Sequence, residues 1–248
     1  MQSLFLISLL VTLLTAIERG TRVESTTDAD FMALLKGKAS ICSGSIISRS
    51  KILTAAHCLC RKDRVRHVTL STLTKSRPTI DFEIKYYNVT EEYRELCHYS
   101  TEANFAVGKD LAKDMAVVDI GKDIQESLGH KAVAIDFATK MQEDFKVRIY
   151  GFGSDSMFRN KLSADGILKT HEYKLKKCPD ARYPDALCVL YVKYDDARLS
   201  RGDDGGPVMY NGKLVGSVSN SISDLDGDHR FTVLSLVDTN EDFLRNFL

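Results

Sequence analysis

Short apolar or alternating runs recur along the chain between polar turns. They are Phe31–Leu35, Gly44–Ile47, Lys51–Ala55, His67–Leu70, Met115–Ile120, Val147–Gly151, Leu187–Val192, Pro207–Tyr210, Leu214–Val218 and Phe231–Val237. Runs of this length and spacing predict the strands of an all-β sandwich or barrel. Tyr210-Asn211-Gly212-Lys213 separates two of them and predicts a tight hairpin, because Asn-Gly supplies the positive φ angles of a primed turn. Near the end, Phe243, Leu244 and Phe247 share one helical face, so Glu241–Leu248 predicts a short helix. Gly121–Lys131, with Asp123, Gln125, Glu126 and Gly129, is the best candidate for a connection between two halves. Residues 3–16 are apolar but too few to span a bilayer comfortably. At the N-terminus they predict a secretory signal over 1–16, cleaved after Ala16, and a secreted, extracellular protein.

With 44% hydrophobic and 27% charged residues, the 248-residue chain can bury one large β core or two small ones. Lys plus Arg equals Asp plus Glu at 34 each, which gives no electrostatic argument for nucleic acid or an anionic membrane. Any electrostatic partner would have to be met by a local patch. Six cysteines follow the leader and predict three disulfides formed in an oxidising compartment, with counting alone leaving their pairing open. Cys58-Leu59-Cys60 is too tight for a zinc knuckle, so neither metal nor cofactor is expected. Asn88-Val89-Thr90 is a glycosylation sequon and predicts an exposed loop. His171, Lys174, Lys176 and Lys177 could meet a polyanion such as a glycosaminoglycan, but a solvated strand face is the better reading of so short a run. Asp224-Leu225-Asp226-Gly227-Asp228 lacks the bidentate glutamate of a calcium loop and reads as an acidic turn.

Three segments carry chemistry: Leu53-Thr54-Ala55-Ala56-His57-Cys58, Asp114-Met115-Ala116-Val117-Val118 and Gly202-Asp203-Asp204-Gly205-Gly206-Pro207. In order and context, with Cys42 upstream, they resemble the histidine, aspartate and nucleophile motifs of the trypsin-like (S1) serine proteases. Such a site uses an imidazole to take the proton of a serine hydroxyl and a buried carboxylate to orient that imidazole. The resemblance spans essentially all of 17–248. It implies two packed antiparallel six-stranded β-barrels, one over about 30–120 and one over about 132–237. A linker over about 121–131 joins them, a helix over about 240–248 ends the chain, and the site lies in the cleft between the barrels. It also implies disulfides Cys42–Cys58 and Cys178–Cys188, leaving Cys60 and Cys97 to brace the cleft rim. Ile17-Glu18-Arg19-Gly20 is similar to the family's mature terminus, whose freed amine pairs with the aspartate at position 203.

The chain departs from that pattern inside the cleft. Asp204 stands where the family has its serine, and a carboxylate offers His57 no hydroxyl proton. An ion pair of Asp204 with a protonated His57 is expected instead. The Gly202 amide could face a carbonyl oxygen, but Asp204 would repel the developing oxyanion. Arg198 falls at the pocket floor, Ser219-Asn220-Ser221 replaces a Ser-Trp-Gly segment, and His229 aligns with a glycine whose absence should let a ring fill the pocket. A cysteine expected near Ser200 is missing. Arg201-Gly202-Asp203 spells an adhesion tripeptide on a turn that the resemblance places inside. Together these features predict a protein that is not an enzyme, similar to inactivated trypsin paralogues of parasitic mites. Such a chain would act by binding, as a decoy or inhibitor of host defence proteases or complement. Two alternatives remain: an altered hydrolase using His57 and Asp204 with an Arg198-lined pocket, and a structural or storage protein with no specific partner.

Overall fold

The computed structural model describes residues 17, 19–24, 28–38, 40–60, 64–70, 80–99, 110–124, 130–153, 167–191, 197–223 and 229–248. The expected leader over 1–16, residues 224–228 and part of the expected linker, 125–129, lie outside them. Fourteen strands are described: β1 (Thr21–Arg22), β2 (Met32–Gly37), β3 (Ile41–Ile46), β4 (Lys51–Thr54), β5 (Val65–Leu70), β6 (Ile80–Glu83), β7 (Tyr86–Val89), β8 (Ala116–Asp119), β9 (Lys146–Gly151), β10 (Lys169–Lys177), β11 (Leu187–Leu190), β12 (Pro207–Tyr210), β13 (Lys213–Ser223) and β14 (His229–Leu236). Helices α1 (His57–Cys60), α2 (Glu91–Tyr99) and α3 (Glu241–Arg245) complete the described elements with a 3₁₀ turn, Leu111–Lys113.

The strands form two antiparallel lobes. In the second, the order β9-β10-β11-β14-β13-β12 returns to β9, closing a six-stranded barrel, and β1 adds to the outside of β10. Closure removes the unpaired edges of the sheet. The first lobe is a curled sheet in the order β6-β5-β2-β3-β4-β8-β7. Its two end strands are halves of one bent segment, since only Ile84 and Lys85 separate them. The Ile84 amide donates to Arg66 O at 2.9 Å and the Lys85 amide to Asp119 O at 3.1 Å. The hairpin at Asn211-Gly212 is present, with φ of 49° and 76°.

Several runs read as continuously apolar because successive residues serve two cores. Ile52 and Val118 point into the first lobe, while Leu53 and Val117 point into the seam between lobes with Met115, Tyr150, Phe152, Met209 and Leu214. Each such buried side chain contributes about 1.5–3 kcal/mol of transfer free energy. The second barrel holds Val147, Ile149, Leu175, Val189, Val208, Val218 and Leu234. Leu244 of α3 is fully buried and docks the helix on the seam, which fixes the two lobes against each other across the cleft.

Candidate active site

His57 begins α1 directly after β4, on a segment, Thr54-Ala55-Ala56, that is fully buried. The Cys42–Cys58 disulfide ties that segment to β3. Asp114 follows the 3₁₀ turn, which Asp110 caps by accepting from the Ala112 amide at 3.1 Å. The two side chains meet in the cleft. His57 Nδ1 donates to Asp114 Oδ2 at 2.7 Å, the His57 backbone amide donates to Oδ1 at 2.9 Å, and Ser219 Oγ donates to Oδ2 at 2.7 Å. With Nδ1 committed to the carboxylate, Nε2 faces Asp204, whose Oδ2 is 3.6 Å away. That separation makes a charge contact rather than a hydrogen bond.

Electrostatics follow from this geometry. Burial by itself lowers the pKa of His57, but the Asp114 carboxylate outweighs it and Asp204 adds to the effect, so the imidazole is pushed up to about 10. Asp114 is fully buried, which would raise its pKa, yet the His57 charge and the hydrogen bonds from His57 and Ser219 hold it below the usual carboxylate range. The arrangement is a cation held between two carboxylates, and it can hold a proton at Nε2 toward whatever enters the cleft.

The nucleophile turn is pinned from both lobes. Gly202 and Gly205 have φ of 102° and 79°, where L side chains are strained, and a Cβ on Gly205 would collide with Thr54 and Ser43. The Ser43 amide donates to Asp204 O at 2.8 Å and its hydroxyl to Gly202 O at 2.7 Å, while the Phe152 amide donates to that hydroxyl at 3.0 Å. Ser43 is a site residue the motifs did not single out; its position beside Cys42 was the available signal. Gly202 thus lies in a backbone conformation that a neighbouring side chain fixes.

Asp203 is fully buried. Its carboxylate accepts from the Gly153 amide at 2.8 Å and from the amide and hydroxyl of Ser200 at 2.8 and 3.2 Å. Burial dominates over these bonds and pushes its pKa up to about 7. Ile17 is completely buried in the second-lobe core. An ion pair between an Ile17 amine and Asp203 requires that amine to be freed from its peptide bond, and in the full chain the polar partners of Asp203 are Ser200 and Gly153. The buried setting of Arg201-Gly202-Asp203 leaves Gly202 and Asp203 inaccessible to a receptor.

The pocket side is knitted by hydroxyls. Arg198 is half-buried with its guanidinium 5.9 Å from the Tyr191 ring centroid. Tyr191 Oη accepts from the Leu199 amide at 3.1 Å and shares a 2.7 Å hydrogen bond with Thr232 Oγ1, which shares another of 2.7 Å with Ser221 Oγ. Asn220 is half-buried on β13. The family resemblance places His229 at this wall. In the ladder it is Thr232 that stands opposite Ser221, while His229 stands opposite Ser223, and the His229 side chain lies outside those described. Tyr191 and Thr232 were hidden inside runs that read only as strand.

Disulfides join Cys42–Cys58, Cys60–Cys97 and Cys178–Cys188. Cys60–Cys97 ties α1 to α2 beside His57. Cys42, His57 and Cys58 cluster closely enough for a metal, but both sulfurs are committed to the disulfide and offer no thiolate.

The family model described as Trypsin matches residues 18–243. The chain belongs to the trypsin family. Among curated relatives, this trypsin-family chain is 25% identical over 213 residues to the cercarial protease of Schistosoma mansoni, covering 84% of this chain and 80% of that one. It is 29% identical over 194 residues to kallikrein-8 of Homo sapiens, covering 75% and 69%. The solved structure of neuropsin, a serine protease of mouse brain, superposes with a TM-score of 0.69 at 20% identity, covering 92% and 98%. Human heparin binding protein gives 0.68 at 16%, covering 92% and 95%. These two likenesses carry the fold.

The expectation that the chain is not an enzyme is corrected by these findings. The relatives are proteases by name, and His57 and Asp114 are buried and paired rather than dismantled. The group that faces Nε2 is the Asp204 carboxylate.

Proposed function

We propose that this trypsin-family chain is a secreted protein that engages a protein partner through the rim of its protease-type cleft, as a decoy for or inhibitor of proteases or complement components. The observation that carries the reading is the contact of Asp204 Oδ2 with His57 Nε2 at 3.6 Å. It puts a fixed ion pair where the family presents a nucleophile. The hydroxyl chain through Tyr191, Thr232 and Ser221 supports it, because buried groups that satisfy one another leave few polar partners for an entering side chain. The three disulfides fit an oxidising, extracellular setting, in which Asn88 would carry a glycan.

A protein partner is favoured over a polyanion by the charge pattern of β10. Lys174 and Lys176 both pair with Asp144, and Lys146 pairs with Glu172, so the run presents mixed charge rather than a cationic stripe. The test is capture from plasma by the purified, immobilised mature chain, read by mass spectrometry. The expected result is selective retention of a discrete protein that free mature chain competes off; retention of nothing above an unrelated β-protein would make this a structural or storage protein.

A second reading is favoured by the intact His57–Asp114 pair: hydrolysis without an acyl-enzyme. The Asp204 carboxylate would take a proton from water as the water oxygen bonds to the carbonyl carbon. As the C–N bond breaks, the imidazolium would give its Nε2 proton to the leaving amine, and Asp204 would return its proton to His57. Arg198 would attract an acidic substrate. Turnover of acidic peptides by the parent chain, lost in Arg198→Ala, would establish it.

A further inference from the structure

A groove of about 420 Å³ lies where the first lobe meets the C-terminal helix. Asn88 of β7 stands at its rim, exposed, and Lys113, Thr239, Asn246, Phe243 and Phe247 line it. The volume falls within the range of roughly 300–1,000 Å³ for small-ligand sites, whose walls are mostly apolar. This one is lined chiefly by amides, hydroxyls and charged groups. Such a surface suits a polyhydroxyl occupant rather than a hydrophobic one.

Two further observations bear on the occupant. Asn88 and Thr90 form the glycosylation sequon, with Thr90 buried and its hydroxyl donating to Lys113 O at 2.5 Å, so the strand that carries Asn88 is anchored beside the groove. The half-buried rings of Phe243 and Phe247, in edge contact with centroids 5.2 Å apart, give an apolar surface of the kind that the C–H face of a pyranose ring covers.

We propose that this groove is the seat of an N-linked oligosaccharide carried by Asn88. In its attachment, Asn88 Nδ2 loses one proton and bonds to C1 of the first sugar, and the C1–O bond of a diphospho-lipid donor breaks, releasing the lipid diphosphate. Once attached, the sugar needs only weak intrinsic affinity, because a short tether supplies an effective concentration in the millimolar range and seats a ligand whose Kd lies below it. The groove joins β7 and α2 of one lobe to α3 and the Thr239 turn, so a seated glycan clamps the C-terminal helix onto the first lobe. The Lys113 Nζ bond to Thr239 O at 2.5 Å already marks that seam.

The inference rests on the secretory part of the proposed function, and the experiment separates the two. The full chain is expressed in a eukaryotic secretory host with its own leader and, in parallel, with a heterologous one. The site is read by glycopeptide mass spectrometry. The expected result is glycan at Asn88, released from the native protein by an endoglycosidase about tenfold more slowly than from the denatured protein. Asn246→Arg, which fills the groove and leaves the sequon, should abolish that difference. Asn88→Gln should lower Tm by about 2–4 °C, the shift for a change near 1 kcal/mol in a domain of this size. An unmodified Asn88 in protein from the medium would overturn the proposal, as would equal release rates from native and denatured protein. Protein that reaches the medium only with the heterologous leader would count against the native leader while leaving the seat intact.

Discussion

The two walls of the cleft, His57 with Asp114 on one side and Arg198 to Asp204 with Thr232 on the other, are both made of buried polar groups at strand ends. They are held together in different ways. Asp114 accepts from three donors on two distant segments, the His57 amide, the His57 ring and Ser219. Replacing it leaves all three buried donors short of a partner at once, which costs far more than one hydrogen bond is worth. On the pocket wall, Tyr191, Thr232, Ser221 and the Leu199 amide satisfy one another. A closed local chain of that kind tolerates new neighbours such as Arg198, so this wall is the one free to change. Position 204 sits between the walls, and there a change of residue alters chemistry without orphaning a buried group, because the Asp204 side chain remains about one-fifth exposed.

The largest effect is expected from Asp114→Asn. It removes the charge that balances a buried imidazolium and should cost about 3–5 kcal/mol in urea unfolding at pH 7. A loss below about 1 kcal/mol, the range of an exposed pair, would mean that the first wall is not held by ionic pairing.

Next comes the pH dependence of stability. The folded-state pKa of His57 is raised from 6.5 to about 10, so its contribution is full below pH 6.5 and is lost as pH rises through about 10. That of Asp203 is raised from 3.8 to about 7, so its contribution is full below pH 3.8 and is lost as pH rises through about 7. Urea midpoints of the full chain should therefore fall in two stages between pH 4 and 10. Asp203→Asn should flatten the lower stage and leave the upper one. Loss of both stages in that variant would tie the two walls together more closely than their geometry allows.

The smallest effect is expected from Thr232→Val, which keeps shape and deletes the central hydroxyl of the pocket chain. It should cost about 1–2 kcal/mol, since Tyr191 and Ser221 each lose one partner. The titration of His57 should not move; a shift of it would show the walls to be coupled.

How much of this was legible beforehand followed from where each signal lay. Strands that serve the core announced themselves, as at Lys51–Thr54 and Pro207–Tyr210, because consecutive buried residues leave an apolar run. β10 shows in the sequence only as a solvated strand face, because its outward Glu172, Lys174 and Lys176 form a charge run, while Tyr173 and Leu175 between them carry the inward face. β6 and β7 are as short as β4 and β12 but mostly exposed or half-buried, with one buried residue each, so no apolar run marks them. At the site, His57, Asp114 and Asp204 came from motif context, and the cysteine pairs came from the same resemblance. Ser43, Tyr191 and Thr232 did not emerge, because a hydroxyl's role depends on what the fold brings opposite it. Strand register, not spacing, decides which residue faces Ser221, and that residue is Thr232.

The most direct test of the ion-paired centre is an NMR titration of the His57 ring in the parent chain and in Asp204→Ser. With Asp114 on Nδ1 and Asp204 facing Nε2, the parent ring should remain an imidazolium beyond pH 8 and titrate near 10, with a lower value in the serine variant, where only one carboxylate remains. A parent ring already neutral at pH 7, titrating near 6.5 as a free histidine does, would contradict the charge arrangement on which the reading of this cleft depends.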